Sequence, residues 1–414
     1  MEKEAESYRT PSIRKFRWPV YCSSSMETKR TKILQFLVFS LFLVAPFIMA
    51  YEDVEKARLI SARILPTFIS TFTGLYRWAA LGFLTVLSIY YLGRIRNYRI
   101  TTPVVFISTF YFMQFLYALV DGEDYVRFFL MTVFSLLIPP VIGLAIKNDK
   151  KIIKYFIFCI FFFLIISIFL NGHLVLIGQR FLGFLNNPNT YGISTVFWLI
   201  ILLLANYFQV INKKLFTFIL IGLFFTMLFT GSRNAIAGMS LILIIKYYNQ
   251  LNKMLVGVFL LLSVFLVISQ FIDLSFLTSR FENIFQAASD SGRLDIWERA
   301  YYAINQNFWW GNGMDANLQI ANTGNMHNSY IRFVLNMGII FTIFTLLMYL
   351  FSIISTYTKR SKVPLILTGF LLVFAVANIG EDFFVGLGSS VFIYLLFIYG
   401  FINYFITRQN DTSR

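Results

Sequence analysis

Charge is scarce in this 414-residue chain: 13% of its residues are Asp, Glu, Lys or Arg. A typical soluble domain carries about 25%. With 58% hydrophobic and 19% aromatic residues, a water-soluble globule is excluded, and so is a disordered chain. The two cysteines, Cys22 in a polar stretch and Cys159 inside an apolar run, are too few for a disulfide scaffold. Histidine is equally sparse, at positions 173 and 327 only. There is no Walker loop, no dinucleotide fingerprint, no HExxH and no Cys/His metal spacing, so neither a cofactor nor a metal is expected. The net charge of +15 does not point to nucleic acid, because the basic residues sit between apolar runs and not along one polar face.

What the chain does have is long apolar runs. They fall near 33–50, 74–92, 102–120, 128–146, 152–170, 190–208, 214–230, 234–248, 254–272, 332–356, 363–380 and 388–406. The runs are continuous and not alternating, which excludes a membrane β-barrel. The fold class predicted is all-α: a polytopic membrane protein of about 12 transmembrane helices with one large extracytoplasmic loop. The segments are then a cytoplasmic tail at 1–32, spans one to nine over 33–272, the loop at 273–331, spans ten to twelve over 332–406, and a tail at 407–414. The first tail is polar and basic with no cleavable signal, and Met26 offers an alternative start, the residues before it reading as a cytoplasmic extension of no clear structure.

Orientation follows from the connecting segments. With the N-terminus in the cytoplasm, the inner segments hold 24 of the 35 basic residues, among them Arg94, Arg96, Arg99, Lys147, Lys150 and Lys151. The opposite segments are acidic or neutral, as in Glu52-Asp53 and Asp121-Gly122-Glu123-Asp124. This is the positive-inside pattern of an inner-membrane protein with both termini cytoplasmic. The inner set comprises 14 lysines and ten arginines, the outer set one lysine and ten arginines. Arginine retained where lysine is shed suggests planar, bidentate recognition of phosphate or carboxylate. The plainer alternative is that these arginines reach headgroups or pair with outer acids.

Candidate chemistry gathers on the outer side. Within the 273–331 loop, which has no hydrophobic core of its own, Leu294, Trp297, Tyr301, Ile304 and Phe308 recur at helical spacing behind Arg293. They predict an amphipathic helix resting on the membrane or the bundle, followed by Trp309-Trp310 at the interface and a Gly311-Asn312-Gly313 turn. Arg293 begins this helix, where backbone amides favour an anion. His327 is expected in the first turn of the tenth span, a place that suits a proton-accepting imidazole, although a structural histidine fits there too. Arg233 lies in Thr230-Gly231-Ser232-Arg233-Asn234 between two short runs, with Gly231 breaking the helix and Ser232 capping the next. A buried arginine at membrane depth should face a cavity or a ligand. Arg180 opens a turn-rich stretch through Asn187-Pro188-Asn189, and Glu381-Asp382 are the acids of the last outer loop.

In combination these motifs resemble the O-antigen polymerase (Wzy) and O-antigen ligase superfamily. The resemblance is carried by Arg180, Gly183 and Asn187-Pro188-Asn189; Thr230-Gly231-Ser232-Arg233; Arg293 with Trp297; Gly311-Asn312-Gly313; and His327-Asn328-Ser329-Tyr330 leading to Gly338. It spans roughly residues 175–345, while the first 170 residues agree only in hydropathy. It implies an inverting, metal-independent glycosyltransferase acting on polyprenyl-diphosphate-linked glycans, donor and acceptor, at the outer face of the cytoplasmic membrane. By the same resemblance, Arg233 and Arg293 hold the diphosphate and His327 activates the acceptor hydroxyl. Arg180, Asn189 and Glu381 are the substrate-binding candidates. Implied partners are the lipid bilayer, a chain-length regulator and a flippase. Repeat-unit polymerisation into a surface polysaccharide is favoured over ligation to an acceptor such as lipid A-core. A lipid-linked oligosaccharide flippase is disfavoured, because no internal repeat and no charged midplane pathway are visible.

Overall fold

The computed structural model describes residues 24–49, 62–63, 65–94, 98–185, 187–248, 293–320, 326–361, 363–384 and 389–408. Among these the chain is helical with no strand. The helices are α1 (Ser24–Val44), α2 (Thr67–Arg94), α3 (Thr102–Asp121), α4 (Tyr125–Asn148), α5 (Lys151–Asn171), the short α6 (His173–Leu176), α7 (Pro188–Tyr207), α8 (Lys213–Thr230) and α9 (Arg233–Tyr247). After the polar stretch come α10 (Arg293–Gln306), the short α11 (Ala316–Ile320), α12 (Ser329–Thr358), α13 (Leu365–Ala377) and α14 (Ser390–Arg408).

Eight of them, α2, α3, α4, α5, α7, α8, α12 and α14, are long and apolar enough to cross a membrane. The chain is a multi-pass membrane protein. The Thr31–Val44 part of α1 and all of α13 are apolar but shorter, and α9 has 15 residues. Eleven of the twelve expected runs coincide with a helix; the run at 254–272 lies outside the described residues. Helix α1 begins at Ser24, ahead of the apolar run that starts near 33. Hydropathy marks where a helix lies in lipid, whereas backbone hydrogen bonding carries the helix on past the apolar run.

Two helices form the centre. The apolar windows of α7 and α14 are each 89% buried, against 28% for α2 and α8 at the periphery. Phe197 of α7 stacks on Tyr394 of α14 with ring centroids 4.2 Å apart. On the other side of α14, Gly400 meets Gly143 of α4. A Cβ on Gly143 would stand 3.0 Å from the Gly400 carbonyl oxygen, and one on Gly400 would stand 2.5 Å from Ile142 Cγ2. Small residues at this crossing let the backbones approach, the usual means of holding helices together where lipid removes the hydrophobic drive.

The long run expected at 332–356 is a helix with a break. Gly338 in α12 has φ 70° and ψ 172°, a conformation open essentially to glycine alone. The break frees backbone groups, and the Phe308–Gly313 turn takes them up: Ile339 N donates to Phe308 O, Asn312 N to Leu335 O and Gly313 N to Asn336 O, at 2.9, 2.9 and 3.1 Å. A broken helix in a membrane protein is stable only when neighbouring backbone satisfies its groups in this way.

Candidate functional site

Four helices begin at one end of the bundle, around a single turn between α13 and α14. Asn187 is the N-cap of α7, its side chain accepting from Asn189 N at 2.7 Å, and Pro188 follows at the first helical position, where its missing N–H costs nothing. Asn189 is thereby left with its side chain free of capping duty. Arg233 opens α9 and Arg293 opens α10. Asn328 caps α12, accepting from Tyr330 N and Ile331 N at 3.0 and 3.1 Å. The positive ends of these four helix dipoles share one neighbourhood, which favours an anion there.

The turn that joins them is rigid. Asn378 Oδ1 accepts from Phe383 N and Phe384 N at 3.0 and 3.1 Å, and its Nδ2 donates to Phe374 O at 2.7 Å. Ser329 Oγ of α12 lies 2.6 Å from Asn378 Oδ1, and Arg332 Nη1 lies 2.6 Å from Asp382 Oδ2. These contacts clamp the start of α12 to the turn and leave Glu381, only 6% exposed, directed at the other helix starts.

Glu381 is the hub of the polar cluster. Asn189 Nδ2 donates to its Oε1 at 2.5 Å, Arg293 Nη2 lies 3.6 Å from the same oxygen, and His327 Nδ1 lies 3.7 Å from Oε2. Arg293 Nη2 is also 3.5 Å from His327 Nδ1, while Arg293 Nη1 donates to Gly380 O at 3.3 Å. Arg180 completes the chain, donating from Nη2 to Asn189 Oδ1 at 2.8 Å and from Nε to Thr230 O at 2.7 Å. Arg180, Asn189, Glu381, Arg293 and His327 therefore form one unbroken run of contacts. Arg233 enters through its neighbour: Asn234 Nδ2 donates to Ala377 O at 3.4 Å and sits against Gly380, 2.7 Å from where a Cβ would stand.

Local geometry corrects three expectations. His327 is not in the first turn of α12; it precedes the cap residue and adopts a left-handed φ of 50°. Ser232 does occupy the N-cap position of α9, yet its side chain makes no capping hydrogen bond. Gly231, with φ 58°, ends α8 as expected, a left-handed position glycine fills without penalty. On α10, Ile296, Ala300, Ala303 and Ile304 face the bundle, whereas Leu294 and Tyr301, with Phe308 just beyond the helix, are exposed. The loop also has a small core after all, because that face joins Ala316, Met326 and Leu335 in a second apolar cluster. Periodicity registered the bulky residues of α10, but the small alanines are what allow it to lie close against α12.

One residue pair of α10 ties the loop to the site. Arg293 and Trp297, one helical turn apart, both point at the segment before α12, and Trp297 Nε1 donates to Met326 O at 2.9 Å. Among the described residues no group of three or more His, Cys, Asp or Glu side chains is placed to hold a metal ion. Two outer arginines follow the plainer alternative, Arg127 pairing with Asp124 at 2.9 Å and Arg332 with Asp382. In the sequence, Asn378 went unnoticed, and Ser329 and Asn234 stood only as members of their motifs with no role of their own. Their only signal is a small polar residue at the edge of an apolar run.

No curated protein matches the chain. Residues 216–346 match the protein-family model described as O-antigen ligase, a stretch that contains Arg233, Arg293, His327 and the Gly338 break. That family implies membrane glycosyltransferase-like activity on lipid-linked glycans. Over that stretch, and with its helical membrane fold, the chain is similar to the O-antigen polymerase and O-antigen ligase superfamily.

Proposed function

We propose that this protein polymerises polyprenyl-diphosphate-linked oligosaccharide repeat units into a surface polysaccharide at the outer face of the cytoplasmic membrane. Sidedness rests on the basic segments, which alternate with the loops that carry the cluster. Arg233 and Arg293 hold the donor's diphosphate and oppose the charge that develops on it as the sugar–phosphate bond breaks. Preorganised donors in a cleft of low dielectric are worth far more than in water. His327 takes the proton of the attacking hydroxyl, and inversion follows from a single displacement at the anomeric carbon. Arg180, Asn189 and Glu381 position the substrate and the reacting groups, and no metal takes part.

The observation that carries this reading is the contact of Arg293 with His327 at 3.5 Å beside the buried carboxylate of Glu381. On this reading a base and an anion-binding cation stand in contact where four helix dipoles also favour negative charge. Supplying purified protein with lipid-linked repeat units and sizing the product tests it. A ladder of multiples is expected, and unchanged single units would overturn it. The second reading is a ligase, favoured by the description of the matched family model. A deletion strain separates the two. Loss of a polymerase leaves single repeat units on the final acceptor, and loss of a ligase leaves that acceptor bare.

A further inference from the structure

Two groups of opposite hydrogen-bonding character face the same ring nitrogen of His327. Arg293 Nη2 lies 3.5 Å from Nδ1 and Glu381 Oε2 lies 3.7 Å from it. A guanidinium only donates, so its contact requires an Nδ1 without a proton, and a neutral ring then carries its proton on Nε2. A carboxylate only accepts, so its contact requires Nδ1–H, which leaves the lone pair on Nε2. For a neutral imidazole the two contacts exclude one another. Only the second makes Nε2 a base.

Arg293 also divides its guanidinium among several partners. Its Nη1 donates to Gly380 O at 3.3 Å and its Nη2 lies 3.6 Å from Glu381 Oε1 as well as near the imidazole. All of these contacts are long. A diphosphate carries more charge than one carboxylate and offers paired oxygens to the planar guanidinium fork, so it competes well for Arg293. Glu381 stays in place meanwhile, held by Asn189 at 2.5 Å and by the rigid turn around Asn378.

We infer that donor binding sets the tautomer of His327: the diphosphate draws Arg293 away from Nδ1, Nδ1–H turns to Glu381, and Nε2 becomes the proton acceptor. The inference rests on the diphosphate-site reading given above. In the reaction, the acceptor hydroxyl gives its proton to Nε2 while its oxygen bonds to the anomeric carbon. The carbon–oxygen bond to the diphosphate breaks, and its electron pair leaves with the diphosphate. The resulting imidazolium donates from Nδ1 to the Glu381 carboxylate, which acts as a positioning residue through the ring. The base is thus armed only when a leaving group is present.

With two histidines in the chain, ¹⁵N-histidine labelling of the full-length protein in nanodiscs resolves the question directly. His173→Gln leaves His327 as the only labelled ring. The spectra are read at a pH where the ring is neutral, without ligand and with saturating geranylgeranyl diphosphate, binding being followed separately by calorimetry. Expected is Nε2–H without ligand and a swap to Nδ1–H with it; Arg293→Gln should show Nδ1–H without ligand. Binding with no change of tautomer overturns the inference and leaves the diphosphate site standing, as does an Nδ1–H ring already present without ligand. Absence of binding overturns the diphosphate reading and the inference with it.

Discussion

Gly338 and Gly311 meet backbone to backbone, so closely that a Cβ on Gly338 would stand 2.5 Å from the Gly311 nitrogen. The contact joins the break in α12 to the turn after α10, and each glycine has a positive φ, 70° and 81°. Gly338→Ala therefore meets both a backbone penalty of about 1–3 kcal/mol and a clash with a partner that has no side chain to move. Thermal unfolding in detergent is expected to fall by several degrees. Exposed Trp309 and Trp310 should report the displaced turn by altered fluorescence.

Arg332 and Asp382 form the best-buried ion pair of the cluster, with side chains 14% and 6% exposed. Removing one partner leaves a buried charge alone, which costs about 3–5 kcal/mol. Arg332→Met and Asp382→Leu should each lower the melting temperature, and the double variant should be more stable than either. A double variant as unstable as the sum of the singles would show that the two residues do not act as a pair.

Trp297→Phe removes one hydrogen bond, to Met326 O, and keeps most of the ring. Stability should change by only about 0.5–1.5 kcal/mol. Glycan synthesis should drop further than that loss explains, because Met326 directly precedes His327. Equal protein levels with unaltered polymer length would separate the loop contact from the site.

Arg233→Lys and Arg293→Lys keep the charge and lose the planar fork. If both grip the diphosphate, each should lower turnover on the order of 10²-fold at normal expression, the scale of a lost transition-state donor. His327→Ala should cost roughly 10²–10⁴-fold, the range of general-base catalysis. Wild-type chain formation by any of the three removes that residue from the mechanism.

Much of the membrane fold was legible because burial in lipid demands long apolar runs, and helices stand at all eleven expected runs that fall among the described residues. What hydropathy could not register was the break at Gly338, since one glycine barely alters the mean of a long run. It also did not single out the face of α10 that packs on the bundle, where Ala300 and Ala303 sit beside Ile296 and Ile304. At the site, Arg180, Asn189, Arg293, His327 and Glu381 were each visible as polar residues on outer loops. Their convergence on Glu381 was not, because it depends on residues 192 positions apart meeting at 2.5 Å. The turn that brings them together owes its shape to Asn378, whose side chain is held by backbone carbonyl and amide groups and by the Ser329 hydroxyl.

The crowded axis formed by α7 and α14 has a bearing on what the molecule can do with a sugar. Its middle is filled by interleaved rings such as Phe197 and Tyr394, leaving a greasy pillar where a conduit would need a wet lining. A hydrophilic cargo threaded along that pillar would have to shed its hydration against phenylalanine. On the proposed reading such a cargo is handled at the rim, where the arginine and amide groups of Arg180, Asn189 and Arg293 gather.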